Sequence, residues 1–200
     1  MTEEKLAAKA APAVEQATVL LLADIACADV TTLLACYGLQ LQRVADGAPI
    51  PGSYWGEPEA GLIGACIHVR NDTPVHSILH EAAHLIVLDP VRRVAVHTDA
   101  TDSIDEEDAV CVLQSLLGEA LPGVGASRVL ADMDAWGYTF RLGSARAYVQ
   151  QDAETAWQWL AARGLVDDER RLVIPGDPLP ANLHAPAPGP SLPILHSQRR

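Results

Sequence analysis

The stretch His80-Glu81-Ala82-Ala83-His84 brings together two imidazoles four positions apart and a carboxylic acid beside the first of them. On an α-helix, residues four apart project about 40° from one another with Cβ atoms roughly 6 Å apart, so both imidazoles can reach one ion. Nitrogen ligands of this kind suit zinc. Glu81 lies about 100° round the helix from His80, outside coordination but near enough to hydrogen-bond a water at the ion, which makes it the candidate general base. Around the motif, Ile78, Leu79, Ala82, Ala83, Leu85, Ile86, Val87 and Leu88 make the helix apolar nearly all round. Burying His80, Glu81 and His84 there without partners would be costly, so something must satisfy them.

A zinc site of this kind needs a third protein ligand. One known spacing, that of the metzincins, places a histidine at the sixth position after the second motif histidine, past an intervening glycine. Here those positions are Pro90 and Val87, so that arrangement is excluded. The next helical stretch opens with Asp105, Glu106, Glu107 and Asp108, and a carboxylate from it can reach the ion if the two helices pack together. The arrangement resembles the gluzincins. A strand, H-E-x-x-H, a connection and an acidic helix start are together similar to the compact ImmA/IrrE-type metallopeptidases and, more loosely, to the M48 group. The resemblance covers roughly residues 61 to 118.

In those families the third ligand is a glutamate in an E-x-x-A pattern, which Glu106 and Ala109 match. The resemblance therefore implies His80, His84 and Glu106 as metal ligands, with Glu107 as the rival to Glu106. The families commonly follow the alanine with Asp or Asn. Val110 stands there in this chain, so a hydrogen bond to a ligand histidine must come from elsewhere. His97 is a further candidate ligand, although a surface histidine is the plainer reading. His68 and His76 could touch the edge of the site. Tyr54, Tyr138 and Tyr148 are candidates to stabilise a developing oxyanion. Trp136, Trp157 and Trp159 read as packing residues, and Asp132 with Asp134 as a solvated face. The resemblance also implies an edge strand, over Gly61 to Val69, that would hold an extended peptide by main-chain hydrogen bonds.

The elements that must position these residues follow from pattern. Ala13 to Gly38 reads as one helix or two short ones, with Gly38 as the stop. Residues 46–60, dense in Gly and Pro, are loop, and Gly61 to Arg70 alternates as a short strand. Thr73 caps a motif helix that begins at Pro74 and stops near Asp89-Pro90. A brief strand is expected at Val91 to His97, then a helix from the acidic run, whose negative charges suit the helix dipole. Further helices are expected from Ala126 to about Trp136 and from Ser144 to Arg163. Residues 1–174 read as a single domain and 175–200, rich in proline, as a flexible tail. The expected class is α+β, a small, mostly antiparallel sheet packed on helices that include the H-E-x-x-H helix.

Composition bounds the function. The 200 residues are 49% hydrophobic and 20% charged, which excludes global disorder, and aromatics at 4% point to an aliphatic core. A formal charge of −12 repels phosphate backbones and anionic membranes, so neither nucleic acid nor membrane is an expected partner. No apolar run approaches a membrane span, and the first residues mix charges unlike a signal peptide, so the chain reads as cytoplasmic. Cys27, Cys36, Cys66 and Cys111 are scattered and read as small buried hydrophobes. The expectation is a zinc metallopeptidase acting on a peptide or protein substrate, with Glu81 moving the proton. The alternatives are a non-catalytic, partner-binding module on the same scaffold, and hydrolysis of a non-peptide amide.

Overall fold

The computed structural model describes residues 18–54, 56–100, 103–138 and 142–176. Within the first helical run it places a 3-10 turn at Leu22–Asp24 and helix α1 (Cys27–Cys36), followed by Gly38 at φ 71°, where the chain turns. Strand β1 (Gln40–Arg43) comes next. The stretch expected to be one strand is instead a hairpin of β2 (Gly61–Ile63) and β3 (Cys66–Val69), turning at Gly64 and Ala65. Its alternation is continuous through the turn, which is why the sequence pattern runs the two strands together.

The sheet order is β1-β3-β2. β1 runs parallel to β3, in register from Gln40 opposite Cys66 to Arg43 opposite Val69, and β2 runs antiparallel, with Leu62 opposite Ile67. The α+β class holds, but the sheet is mixed rather than mostly antiparallel. The edge expected to bind peptide is closed. β3 is central, and on the outer side of β2 the Leu62 N–H donates to the Gly52 carbonyl (3.1 Å) while the Leu62 carbonyl accepts from Thr98 (3.1 Å). Gly61 permits this closure, since a Cβ there would lie 2.1 Å from the Pro51 carbonyl oxygen.

Helix α2 (Val75–Val87) carries the motif, and Pro74 rather than Thr73 is its N-cap. The Thr73 hydroxyl accepts the backbone N–H of Arg70 at 2.9 Å, tying the end of β3 to the helix start. At the far end, Asp89 accepts the Val91 N–H and opens a short helix α3 (Pro90–Arg93), where a strand was expected. Proline at a first helical position favours that outcome. Helix α4 (Ile104–Glu119) follows, with Ser103 accepting from the Glu106 N–H. Helix α5 (Ala126–Trp136) has the expected bounds. The last expected helix is two, α6 (Ala145–Gln151), capped by Ser144, and α7 (Glu154–Ala161), broken at Asp152 and Ala153.

The core lies where α4 packs against α2, α5 and α7. Ile78, Leu79 and Leu85 from α2 and Leu113 and Leu117 from α4 are fully buried, with Met133 and Tyr148 beside this aliphatic set. The α4 and α5 backbones approach closely at Gly118, where an added Cβ would lie 2.3 Å from the Val129 Cγ2. All four cysteines are free, and only Cys111 is buried; Cys36 is exposed. Asp132 and Asp134 do not form a solvated face. Asp132 is buried and accepts from the Leu20 N–H (2.9 Å) and Arg128 (2.8 Å), and Asp134 accepts from the Ala145 N–H (2.5 Å). Among the described residues no helix is long and apolar enough to cross a membrane. The proline-rich stretch lies outside the described residues, apart from Pro175 and Gly176.

Candidate metal centre

α2 is buried on almost every side, so its polar motif residues can be satisfied only by what packs on it. His80 and His84 project from one face, their rings 4.6 Å apart and nearly perpendicular, with the two Nε2 atoms 3.1 Å apart. α4 brings Glu107 to that pair. One carboxylate oxygen lies 3.5 Å from the His80 Nε2 and the other 3.3 Å from the His84 Nε2. Among the described residues, His80, His84 and Glu107 form a group of donor atoms all within 4.8 Å of one another.

Glu106 is not in this group. It is buried, one carboxylate oxygen lies 3.6 Å from Arg92, and the other has no hydrogen-bond partner among the described residues. The face of α4 decides between the two acids. Positions 107, 111 and 114 stack within two turns on one side of a helix, and Gln114 from that side reaches α2. Glu106 lies about 100° away, over the apolar row that continues through Val110 and Leu113. The E-x-x-A match thus names the neighbour of the acid that faces the histidines. His97 is exposed, forms short bridges to Ile63 and Asp99, and lies outside the group.

The electrostatics follow from burial. His80 is pushed down to about 4 by burial, opposed by its hydrogen bond with Gln114. His84 falls to about 3 through burial and the nearby His80. Both imidazoles are therefore neutral at pH 7, the form in which imidazole nitrogen binds metals. Burial lifts Glu81 to about 8, with Glu59, Glu107 and Asp99 adding to the shift. Glu107 rises to about 7 by burial and by the acids Asp108, Asp99 and Glu106. The buried carboxyl of Glu81 and the half-exposed one of Glu107, both shifted toward their protonated forms beside two neutral imidazoles, form a centre that a divalent cation would stabilise. The donor set, two imidazole nitrogens and one carboxylate, fits zinc.

The wall of the site comes from the end of α5. Tyr138 lies edge-on to His80 at 5.7 Å and to His76 at 5.8 Å, and Trp136 packs on His76 at 5.2 Å. Of the three tyrosines considered, Tyr138 adjoins the motif; Tyr148 is buried in the core and Tyr54 is 56% exposed. Trp136 is not simply a packing residue, because its Nε1 donates to Glu59 at 2.6 Å. Trp157 and Trp159 instead lie under Arg170 and Arg163. His76 is buried with no hydrogen bond to either ring nitrogen among the described residues, and His68 is buried on β3. Sequence reasoning missed Gln114, Glu59 and Trp136. For Gln114 a signal existed, its position two turns along α4 from Glu107. For Glu59 there was none, since it lies in an irregular loop.

Comparison of the chain with models of protein families, with curated proteins and with solved structures gave no match.

Proposed function

We propose that the chain is a zinc-dependent metallopeptidase with a zincin-like active-site helix, in which His80, His84 and Glu107 hold the ion and Glu81 is the general base. The observation that carries this reading is the convergence of the two Nε2 atoms, 3.1 Å apart, on the two oxygens of a single carboxylate. When bound, zinc supplies Lewis acidity to the scissile carbonyl. Glu81 takes the proton of the attacking water and returns it to the leaving amine. Burial raises the Glu81 carboxyl, so that its protonated form is accessible near neutral pH, as a base that must later act as an acid requires. Tyr138, beside His80, is the side chain placed to steady the oxyanion. Because the outer edge of β2 is already hydrogen-bonded, peptide is not held there by strand addition, and recognition falls to the residues beside the motif, Glu59, Trp136 and Tyr138.

The test is elemental analysis of the purified wild type beside His84→Ala, Glu107→Ala and Glu106→Ala. The expected result is about one zinc per chain in the wild type and Glu106→Ala, none in His84→Ala, and weakened retention in Glu107→Ala. A wild type that takes up no zinc when it is supplied removes the reading. Zinc retained without hydrolysis of any peptide in a broad library would instead favour the non-catalytic, partner-binding alternative.

A further inference from the structure

Gln114 is fully buried between α4 and α2, and both ends of its amide are engaged. Its Nε2 lies 2.7 Å from the carbonyl oxygen of His76, one turn before His80 on α2. A carbonyl only accepts, so that end of the amide must be the donor. The other end is then Oε1, and it lies 3.3 Å from the Nδ1 of His80. An amide oxygen only accepts, so the His80 Nδ1 must carry the hydrogen. The Nε2 of the same neutral ring is left with its lone pair, and that lone pair faces the His84 Nε2 and the Glu107 carboxylate.

We infer that Gln114 is a positioning residue that uses the His76 carbonyl as an anchor to lock His80 in the tautomer whose Nε2 is ready to bind metal. His84 has no such support. Its Nδ1 is buried and without a partner among the described residues, while its Nε2 lies against that of His80. The two motif histidines are thus prepared differently, one held in a tautomer by α4 and the other without such support. The functional consequence rests on the metal-site reading above; the tautomer itself does not.

The experiment is long-range proton–nitrogen NMR of the metal-free full chain labelled at its seven histidines, at pH 8 with chelator present, with His80→Gln used to assign the His80 signals. The expected wild-type result is a His80 protonated at Nδ1 and bare at Nε2. Gln114→Glu, which keeps the accepting oxygen, should preserve that pattern, and Gln114→Leu should release it to a mixture of tautomers. Zinc titration of the same proteins should show affinity lower by about 10–100-fold in Gln114→Leu and largely restored in Gln114→Glu. A wild-type His80 protonated at Nε2 overturns the inference whether or not any variant folds. Unchanged tautomer and zinc affinity in a folded Gln114→Leu overturn it as well. A preset His80 in a chain that takes up no zinc leaves the role of Gln114 standing and defeats the metal-site reading alone.

Discussion

At the corner between β3 and α2 the guanidinium of Arg70 is buried with its partners supplied, whereas on the α2–α4 face the buried imidazoles and carboxyls are crowded with groups that do not neutralise them. Arg70 donates to both oxygens of Asp72 (2.9 and 3.0 Å), to the Ala48 carbonyl (2.8 Å) and to Glu57. Its hydrogen bonds hold Asp72 below the usual carboxylate range. The motif face shows the opposite pattern. Burial pushes Glu81 and Glu107 up and His80 and His84 down, and His84 keeps a buried ring nitrogen unpaired among the described residues. A cluster that closes on itself fastens loops. One that remains electrostatically uncompensated costs the fold stability, a pattern found at functional sites.

Three measurements on two variants separate the two kinds of cluster. The largest effect belongs to Glu81→Gln in the metal-loaded protein, where hydrolysis of a peptide-library substrate should fall by about 10²–10⁴-fold while zinc content stays at the wild-type level. Full activity in this variant would end the mechanism. Arg70→Leu should lower the melting temperature by several degrees, less than for a fully buried pair because Glu57 and Asp72 are partly exposed, and should leave zinc stoichiometry unchanged. If zinc binding fails with it, the two clusters are not independent.

The smallest effect has the opposite sign. Burial raises Glu81 from 4.5 to about 8, so the stability it contributes is present below pH 4.5 and is lost as pH rises toward 8. The motif histidines, lowered from 6.5, lose their contribution only as pH falls below 6.5. Between pH 6.5 and 8 the carboxyls therefore dominate. Over that window metal-free wild type should lose stability, and Glu81→Gln should lose less, melting a few degrees higher at pH 8 by calorimetry. Equal slopes would mean that Glu81 is already ionised and solvated in the metal-free protein.

How much of this was legible in the sequence depended on the range of the signal. The motif helix, α4 and α5 follow from local periodicity and caps, and they appear within a few residues of expectation. β1 was invisible, because four residues reading Gln-Leu-Gln-Arg become a strand only by pairing with β3. The choice of acid for the candidate site turned on a rotation of about 100°, the difference between Glu106 and Glu107 on one helix. A motif match assigns that acid by position, but the packing of α4 on α2 assigns it by direction. Gln114 sets the direction visibly, since a residue that hydrogen-bonds His80 marks the side of α4 that faces the site.

The close approach at Gly118 has a mechanical meaning for that site. α5 pivots on α4 where Val129 meets the glycine, and some seven residues further along, roughly 10 Å at the usual helical rise, it ends at Trp136 and leads into Tyr138. A methyl group at position 118 would press on the stiff, branched Val129 and tilt the lever that carries both aromatic rings. The placement of the rings over His76 and His80 therefore depends on a point remote from either, on a residue whose contribution is the absence of a side chain.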